Sequence, residues 1–571
     1  MRLFWILEFS LFKFLENGIR TSGLSDGIEH SNPKLKSTLR GRVNTKDRKL
    51  KTRKNEQCII KREAKSDLGP VDTRKLRKAV TLKAMMTHLR ALQSFADSTI
   101  DVNRASGSQG YDKSRDYVAA KARAAGYKVS FQEFVVDYFT LNDPEPTFSM
   151  VSPNDKAFSY FSNDNNVSGF SIFEFSGGGT ATGKIQAVDL VIPPTDAPSS
   201  TSGCEDSDFT TFEQGNIALI QRGGCFFVTK VENAIKAGAI AIIIFNEGQV
   251  GQTDVGGFTL GEPAISGEDV PVIFTSYDIG LELHEALKEQ DVSVSISVNA
   301  RTEKRNTSNI IAETTGGSTD SVVVVSAHLD SVRKGPGIND NGSGSSVILE
   351  TAIQMSKINK VPTNKVKFVW FGGEEIGLLG SYHFIDNYLS EREMGGDETI
   401  SLLLNFDMVA SPNGGRFVSF NNENDNPAGS RALAKLFEDF YDSRGLGWEY
   451  EVLDDYIFRT DYLPFYEQDI PGGGIFTGAE ALKTAEQVAK YGGLVEVAFD
   501  ECYHESCDDI ENINRKFLKE SADAIAHAVM TVVNVDLECF LAENMEDTLS
   551  VLQTTKNTEA IQHARGGEEI I

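Results

Sequence analysis

Apolar and polar positions fall into three textures along the chain. From about Val71 to Asp137, Leu82, Met85, Met86, Leu89 and Leu92 recur at three- and four-residue spacing, which predicts an amphipathic helix. A second helix is expected over about Ser114–Ala125, followed by a strand over Lys128–Val136. From about Pro146 to Ala300, short apolar runs are separated by Gly, Ser, Pro and Asp, the pattern of strands and turns. Expected strands are Ala187–Ile192, Ile217–Ile220, Ile240–Phe245 and Val270–Thr275, with one helix over about Val228–Ala237. From Asn309 the texture alternates. Strands over Ser321–Ala327, Val366–Phe371 and Ser401–Phe406 are interleaved with helices over about Ser346–Met355 and Gly380–Leu389. Nearly continuous apolar strands alternating with helices predict an α/β fold with a parallel sheet covered on both faces.

The chain has 571 residues, more than one ordinary core accommodates, so two or more domains are expected. Hydrophobic residues make up 40% and charged residues 24%, a globular composition. With a net charge of −26, nucleic acid is not expected as a partner of the main body. Residues 1–70 depart from this, with 16 Lys and Arg against 8 Asp and Glu, which leaves −34 on the remainder. This basic leader is expected to be disordered, a targeting segment or a propeptide. Its first stretch, Met1–Leu15, is apolar but interrupted by Glu8 and Lys13, so it lacks the uninterrupted core of a signal peptide. No run reaches the roughly 18 apolar residues that span a bilayer, so stable membrane insertion is not expected. The end of the chain, residues 541–571, is expected to be an acidic tail.

Six cysteines are present: Cys58, Cys204, Cys225, Cys502, Cys507 and Cys539. None forms a C-x-x-C pair. Cys502 and Cys507 suit a small disulfide ring, which points to an oxidising compartment. Asn166 and Asn306 begin N-x-Ser/Thr triplets and are candidate glycosylation acceptors in the same direction.

Each of the three core strands ends in acidic or imidazole side chains. The first runs into His328-Leu-Asp330, the second into Gly372-Gly-Glu374-Glu375, and the third into Asp407. Ligands of open α/β sheets bind beyond the carboxyl ends of the strands, so these groups are expected to converge. Asp340 lies in the Gly- and Asn-rich loop after the first strand, and Tyr503-His504-Glu505 comes from a loop near the end. Singly, each has an ordinary explanation: a hydrogen-bonded histidine, acids at a helix N-terminus, a turn-forming Asp, a helix cap. Jointly they are a hard nitrogen and oxygen set without thiolate, which suits zinc and also manganese or cobalt. Two ions would need one carboxylate between them.

The string His328-Leu-Asp-Ser-Val-Arg-Lys-Gly-Pro-Gly-Ile-Asn-Asp-Asn-Gly-Ser-Gly closely resembles the metal loop of the co-catalytic zinc aminopeptidases. Phe371–Ser381, Asn405–Met408 and Cys502–Asp508 resemble the family's remaining motifs, in the family's order over about 180 residues. The resemblance implies a zinc-exopeptidase fold of three layers with a mainly parallel central sheet. It implies that His328 and Asp407 bind one zinc, Glu375 and His504 the other, and that Asp340 bridges them. Glu374 would be the general base, Asp330 the partner orienting His328, and Tyr503 a stabiliser of the oxyanion. The Cys502–Cys507 disulfide would shape the loop that presents His504. Asp455–Asp461 and Gly472–Gly478 resemble, more loosely, loops that wall the substrate region. Gln221–Ala239 is similar to the signature of protease-associated domains, with Cys204 and Cys225 as its disulfide. Such domains are inserted in fungal aminopeptidases of the vacuolar aminopeptidase Y kind.

The expected organisation is therefore a leader over 1–70, a peptidase domain over 71–145 and 301–540, a protease-associated domain over 146–300, and the tail. The implied activity is removal of single residues from peptide and protein N-termini, in a secreted or vacuolar protein. A carboxypeptidase of the folate-hydrolase kind would need basic residues for a terminal carboxylate, for which Arg333, Lys334 and Arg459 are the candidates. A glutaminyl cyclase would need one zinc, and a non-catalytic receptor ectodomain would tolerate lost ligands. Every ligand position here is filled.

Overall fold

The computed structural model describes residues 71–161, 168–195, 200–261, 270–358, 361–420, 427–452 and 459–542. The expected leader, Asn166, Asp455–Phe458 and the expected tail beyond residue 542 lie outside these. The described chain forms two compact units, one over Val135–Arg305 and one from 71 to Phe134 and from Asn306 onward.

The chain begins with α1 (Arg74–Ala79), α2 (Leu82–Asp97) and α3 (Gln109–Ala124), then enters β1 (Lys128–Leu141). In α2 the expected stripe holds: Met85, Met86, Leu89 and Leu92 are buried, and the Thr81 side chain accepts the Ala84 N–H as the cap. Helix α3 starts five residues before the expected Ser114. The Ser108 hydroxyl accepts the Tyr111 N–H there, and Tyr111, Ser114 and Val118 form its buried face, so capping rather than hydrophobicity sets its start.

The smaller unit contains β2 (Thr147–Ser152), β3 (Lys156–Phe158), β4 (Phe170–Glu174), β5 (Gly179–Val188), β6 (Ile217–Gln221), α4 (Phe227–Lys236), β7 (Ala241–Phe245), β8 (Phe258–Thr259), β9 (Val272–Thr275), α5 (Tyr277–Glu289) and β10 (Ser293–Val298). Its sheet runs β3-β2-β10-β5-β6-β7-β9-β4-β8, with β5, β6, β7 and β9 parallel. The apolar runs of β6 and β7 are wholly buried. β5 stops at Val188, short of the expected Ile192, because the Val191 N–H is taken by the Gln221 side chain instead of a neighbouring strand. Helix α5 was not expected; it buries Ile279, Gly280 and Leu283, too thin a stripe to stand out. Cys204 and Cys225 form a disulfide.

The larger unit resumes with β11 (Ala300–Glu313), β12 (Ser318–His328), α6 (Gly344–Ile358), β13 (Asn364–Phe371), α7 (Leu379–Glu393), β14 (Ile400–Phe406), β15 (Phe417–Phe420), α8 (Ser430–Asp442), β16 (Glu449–Val452), α9 (Leu463–Tyr466), β17 (Gly472–Phe476), α10 (Ala485–Tyr491), α11 (Arg515–Val532) and α12 (Leu537–Ala542). Its sheet runs β1-β11-β13-β12-β14-β17-β15-β16. The central strands β13, β12, β14 and β17 are parallel, while β11 and β15 join them antiparallel. The run of four valines in β12 follows from burial on both faces. Val323 and Val325 pack with Phe368, Leu402 and Leu404 in the main core, while Val322 and Val324 pack with Leu403, Phe384 and Ile385 on the other side.

Gly472–Phe476, read from the sequence as part of a loop, is the buried strand β17. Its glycines are steric: a Cβ on Gly474 would lie 2.0 Å from the Asn405 carbonyl oxygen.

Candidate active site

Register brings the histidine- and acid-bearing strand ends level. His328 pairs with Phe371 across β12 and β13, and Ser326 with Asn405 across β12 and β14, so Asp407 emerges beside His328. After β13 the chain turns sharply at Gly372 and Gly373 to present Glu374 and Glu375. A Cβ on Gly372 would lie 2.4 Å from the Tyr111 hydroxyl, and Gly373 has φ of +70°.

The structure brings seven of the eight sequence-derived site residues into one cluster of nitrogen and oxygen atoms. His328 Nε2 lies 3.2 Å from Asp407 Oδ1 and 3.2 Å from Asp340 Oδ1. Glu374 Oε2 is 4.0 Å from the same nitrogen. On the other side, His504 Nε2 lies 3.2 Å from Asp340 Oδ2 and 3.0 Å from Glu375 Oε2. The two oxygens of Asp340 therefore face two different histidines. His328, Asp340 and Asp407 form one compact set of possible ligands, and Asp340, Glu375 and His504 a second. Asp330 sits behind: its carbonyl lies 3.2 Å from His328 Nδ1, while its carboxylate, 3.7 Å from that nitrogen, accepts the Glu374 N–H.

Tyr503, the eighth, stacks on the His504 ring with 3.8 Å between centroids. Its hydroxyl oxygen accepts from Arg459 Nη2 at 2.8 Å, and Arg459 Nη1 donates to Glu480 at 2.7 Å. Cys502 and Cys507 form the expected disulfide around His504.

The electrostatics are those of crowded, buried anions. Burial pushes the Glu374 carboxyl well above the usual range, and burial followed by the charge of Asp340 lifts Glu375 to about 7. Burial also raises Asp407. Against burial, Asp407 and Glu374 hold His328 well above its ordinary value, and Glu375 and Asp340 lift His504 to about 10. Asp340 is held low in spite of burial by hydrogen bonds from both histidines. Glu375 Oε1 is buried with no hydrogen-bond donor. Crowded carboxylates, an orphaned buried oxygen and two imidazoles without thiolate fit zinc.

Residues to which the sequence assigns no role also surround this arrangement. Arg104, wholly buried, donates through Nε to the Pro336 carbonyl at 2.8 Å and through its terminal nitrogens to the Leu329 and Gly337 carbonyls. Burial lowers its pKa to about 10, which leaves it charged at neutral pH. Asp508, opposite, accepts the N–H groups of Asn339 at 2.8 Å and Asp340 at 2.9 Å. Asp461, buried near His328 and Asp407, is raised to about 7 by burial. A lone arginine in a polar segment carries no sequence signal, so Arg104 was not legible in advance.

Fold and donor set together define a class of α/β proteins that hold cations at the carboxyl ends of parallel strands. Residues 309–529 match Peptidase family M28, and residues 186–283 match the PA domain. The chain is 41% identical over 457 residues to an aminopeptidase of Pseudomonas aeruginosa strain UCBPP-PA14, covering 79% of this chain and 81% of that protein. It is 35% identical over 463 residues to leucine aminopeptidase 2 of Trichophyton tonsurans, covering 80% and 84%. The solved aminopeptidase from Aneurinibacillus sp. strain AM-1 shares the fold, with a TM-score of 0.60 at 24% identity over 81% of this chain and 96% of that one. The chain belongs to peptidase family M28 and carries an inserted PA domain.

Proposed function

We propose that this protein is a two-zinc aminopeptidase that hydrolyses the N-terminal peptide bond of peptides and proteins. The observation that carries the reading is Asp340, whose two oxygens each face one histidine, with Asp407 completing one half-site and Glu375 the other. His328 and Asp407 would hold one ion, Glu375 and His504 the second, and Asp340 both. Bound zinc supplies Lewis acidity, lowering the pKa of a ligand water toward about 7 and polarising a carbonyl.

The chain's own groups do the rest. Glu374, beside the first half-site, would take the proton of the attacking water at a carboxylate oxygen and return it to the leaving amine. The Asp330 carbonyl orients His328 through Nδ1, which fixes Nε2 toward the cluster. Tyr503 would donate its O–H to the oxyanion. Its oxygen already accepts from Arg459, so its proton is directed elsewhere. The surplus of carboxylates favours a substrate that brings a free ammonium, hence chain ends over chain interiors.

The carboxypeptidase alternative is disfavoured because the candidate cations are engaged, Lys334 with Glu505 and Arg459 with Glu480. Disulfides at Cys204–Cys225 and Cys502–Cys507 support a secreted or vacuolar setting, and no helix among the described residues is long and apolar enough to cross a membrane.

The test is hydrolysis of leucine-p-nitroanilide and its N-acetyl form, before and after chelation and zinc add-back, with Glu374→Gln alongside. Expected are cleavage of the free-amine substrate alone, loss on chelation, and recovery with zinc. Glu374→Gln should retain both ions and lose roughly 10²–10⁴-fold in kcat. Cleavage of neither substrate by protein carrying two zincs would overturn the reading.

A further inference from the structure

Asn339, immediately before the bridging carboxylate, is wholly buried, and its polar atoms go to the two loops that carry the opposed ligands. Its N–H donates to Asp508 at 2.8 Å. Its side-chain Nδ2 donates to Asp500 at 2.7 Å and to the Ser411 hydroxyl at 3.1 Å, and its Oδ1 accepts the Ala410 N–H at 3.1 Å. Its carbonyl accepts from the Ser343 hydroxyl at 2.7 Å, and that oxygen also accepts the Val409 N–H at 2.9 Å.

These contacts sort by loop. Val409, Ala410 and Ser411 follow Asp407 and Met408, on the side of His328. Asp500 and Asp508 flank the disulfide ring that presents His504. Within each half-site the ligands already touch, His328 with Asp407 and Glu375 with His504. Between the half-sites the direct contacts are those of Asp340 to the two histidines, and how the loops behind Asp407 and His504 are held against each other is set by the residues around that carboxylate. We propose that Asn339 is the positioning residue that sets this relation, tying the Asp407 loop to the His504 loop through one side chain so that Asp340 can serve both sides.

The chemistry requires asparagine. Aspartate would lose both donors and add a negative charge against Asp500 and Asp508. Alanine would leave the Ala410 N–H without its acceptor and take from Asp500 one of its donors, leaving the Cys502 N–H and Asn512. A buried amide that both donates and accepts can join an anionic loop to a backbone N–H, and no other uncharged side chain of this size except serine or threonine, which are shorter, combines the two.

The inference rests on the two-zinc reading, and the experiment separates them. Demetallated wild type, Asn339→Ala and Ser411→Ala are titrated with zinc by calorimetry, with circular dichroism and metal-free melting as folding controls. Wild type should take two ions. Asn339→Ala should keep one ion near wild-type affinity and bind the second roughly 10–100-fold more weakly, the usual effect of losing a partner behind the ligands. Ser411→Ala, which removes one bond to the Asn339 side chain along with the Ser411 contacts to Thr477 and Gly478, should weaken the second ion at least about fivefold, the worth of one hydrogen bond. A merely structural role would lower the melting temperature and leave both affinities unchanged. Folded Asn339→Ala with two wild-type affinities overturns the inference; if that variant does not fold, unchanged affinities in Ser411→Ala do so. Wild type that takes fewer than two ions overturns the two-zinc reading itself, and the inference falls with it.

Discussion

Replacing Arg104 by Met keeps most of the side-chain volume and deletes the guanidinium. The Leu329 and Pro336 carbonyl oxygens, on the loop leading to Asp340, then lose their side-chain donor inside the protein, and the Gly337 carbonyl keeps only the Gly342 N–H. An unsatisfied buried polar group costs about 1–3 kcal/mol, and removing one side of a buried charged network about 3–5 kcal/mol. The attraction of the guanidinium to Asp508 and Asp330 is lost as well. A destabilisation of about 4 kcal/mol follows, allowing some relaxation of the loop toward water. At roughly 2–4 °C per kcal/mol for a unit of this size, the melting temperature should fall by about 8–16 °C. The assay is calorimetric melting of metal-free wild type, Arg104→Met and Arg104→Lys, with hydrolysis rates measured below the transitions. The lysine variant keeps the charge but cannot reach three acceptors in fork geometry, so it should fall between the other two. An Arg104→Met protein that melts within about 2 °C of wild type and turns over normally would refute the claim that this side chain clamps the loop.

Tyr503→Phe keeps the stack on His504 and removes the hydroxyl, so kcat should fall about 10²-fold with KM little changed, as measured by steady-state hydrolysis. His527 stacks on Phe440 with Nδ1 3.0 Å from the Thr73 hydroxyl, and burial, then Arg77 and Arg444, lower its pKa to about 4. The unfolded chain takes up this proton near pH 6.5 and the folded chain does not, so stability should decline as pH falls from about 6.5 to about 4. The loss should reach about 2 kcal/mol, allowing for the ring's partial exposure, and His527→Asn should remove that part of the slope in urea unfolding between pH 4 and pH 7.

What was legible in the sequence follows from which forces leave a periodic trace. β12 declares itself because burial on both faces demands valine at every central position, and the strand ends declare the site because His328, Glu374, Glu375 and Asp407 directly follow apolar runs. Motifs carried the rest of the ligand set. The start of α3 was missed because a serine cap, not an apolar stripe, defines it. β17 was missed because its glycines, dictated by the crowding of neighbouring backbone and aromatic rings, read as a loop. Arg104 and the bonds of Asn339 left no trace at all, since their partners are backbone groups and residues distant in the chain. Hydrophobic patterning thus locates the scaffold, and the polar fastening of its loops becomes visible only in three dimensions.

The strand order has an evolutionary corollary. The PA-containing unit leaves the peptidase sheet through β1 and re-enters through β11, and these two strands are neighbours. To the host, the whole excursion is equivalent to an elongated hairpin connection: it demands no crossover, breaks no pairing among the parallel strands, and leaves the sequence from β12 onward, with the candidate ligands, uninterrupted. Lineages could lengthen, exchange or delete such a cassette by recombination at two adjacent points while the chemistry stayed under separate selection. The same two points are where a protein engineer would cut to graft a different module onto this peptidase.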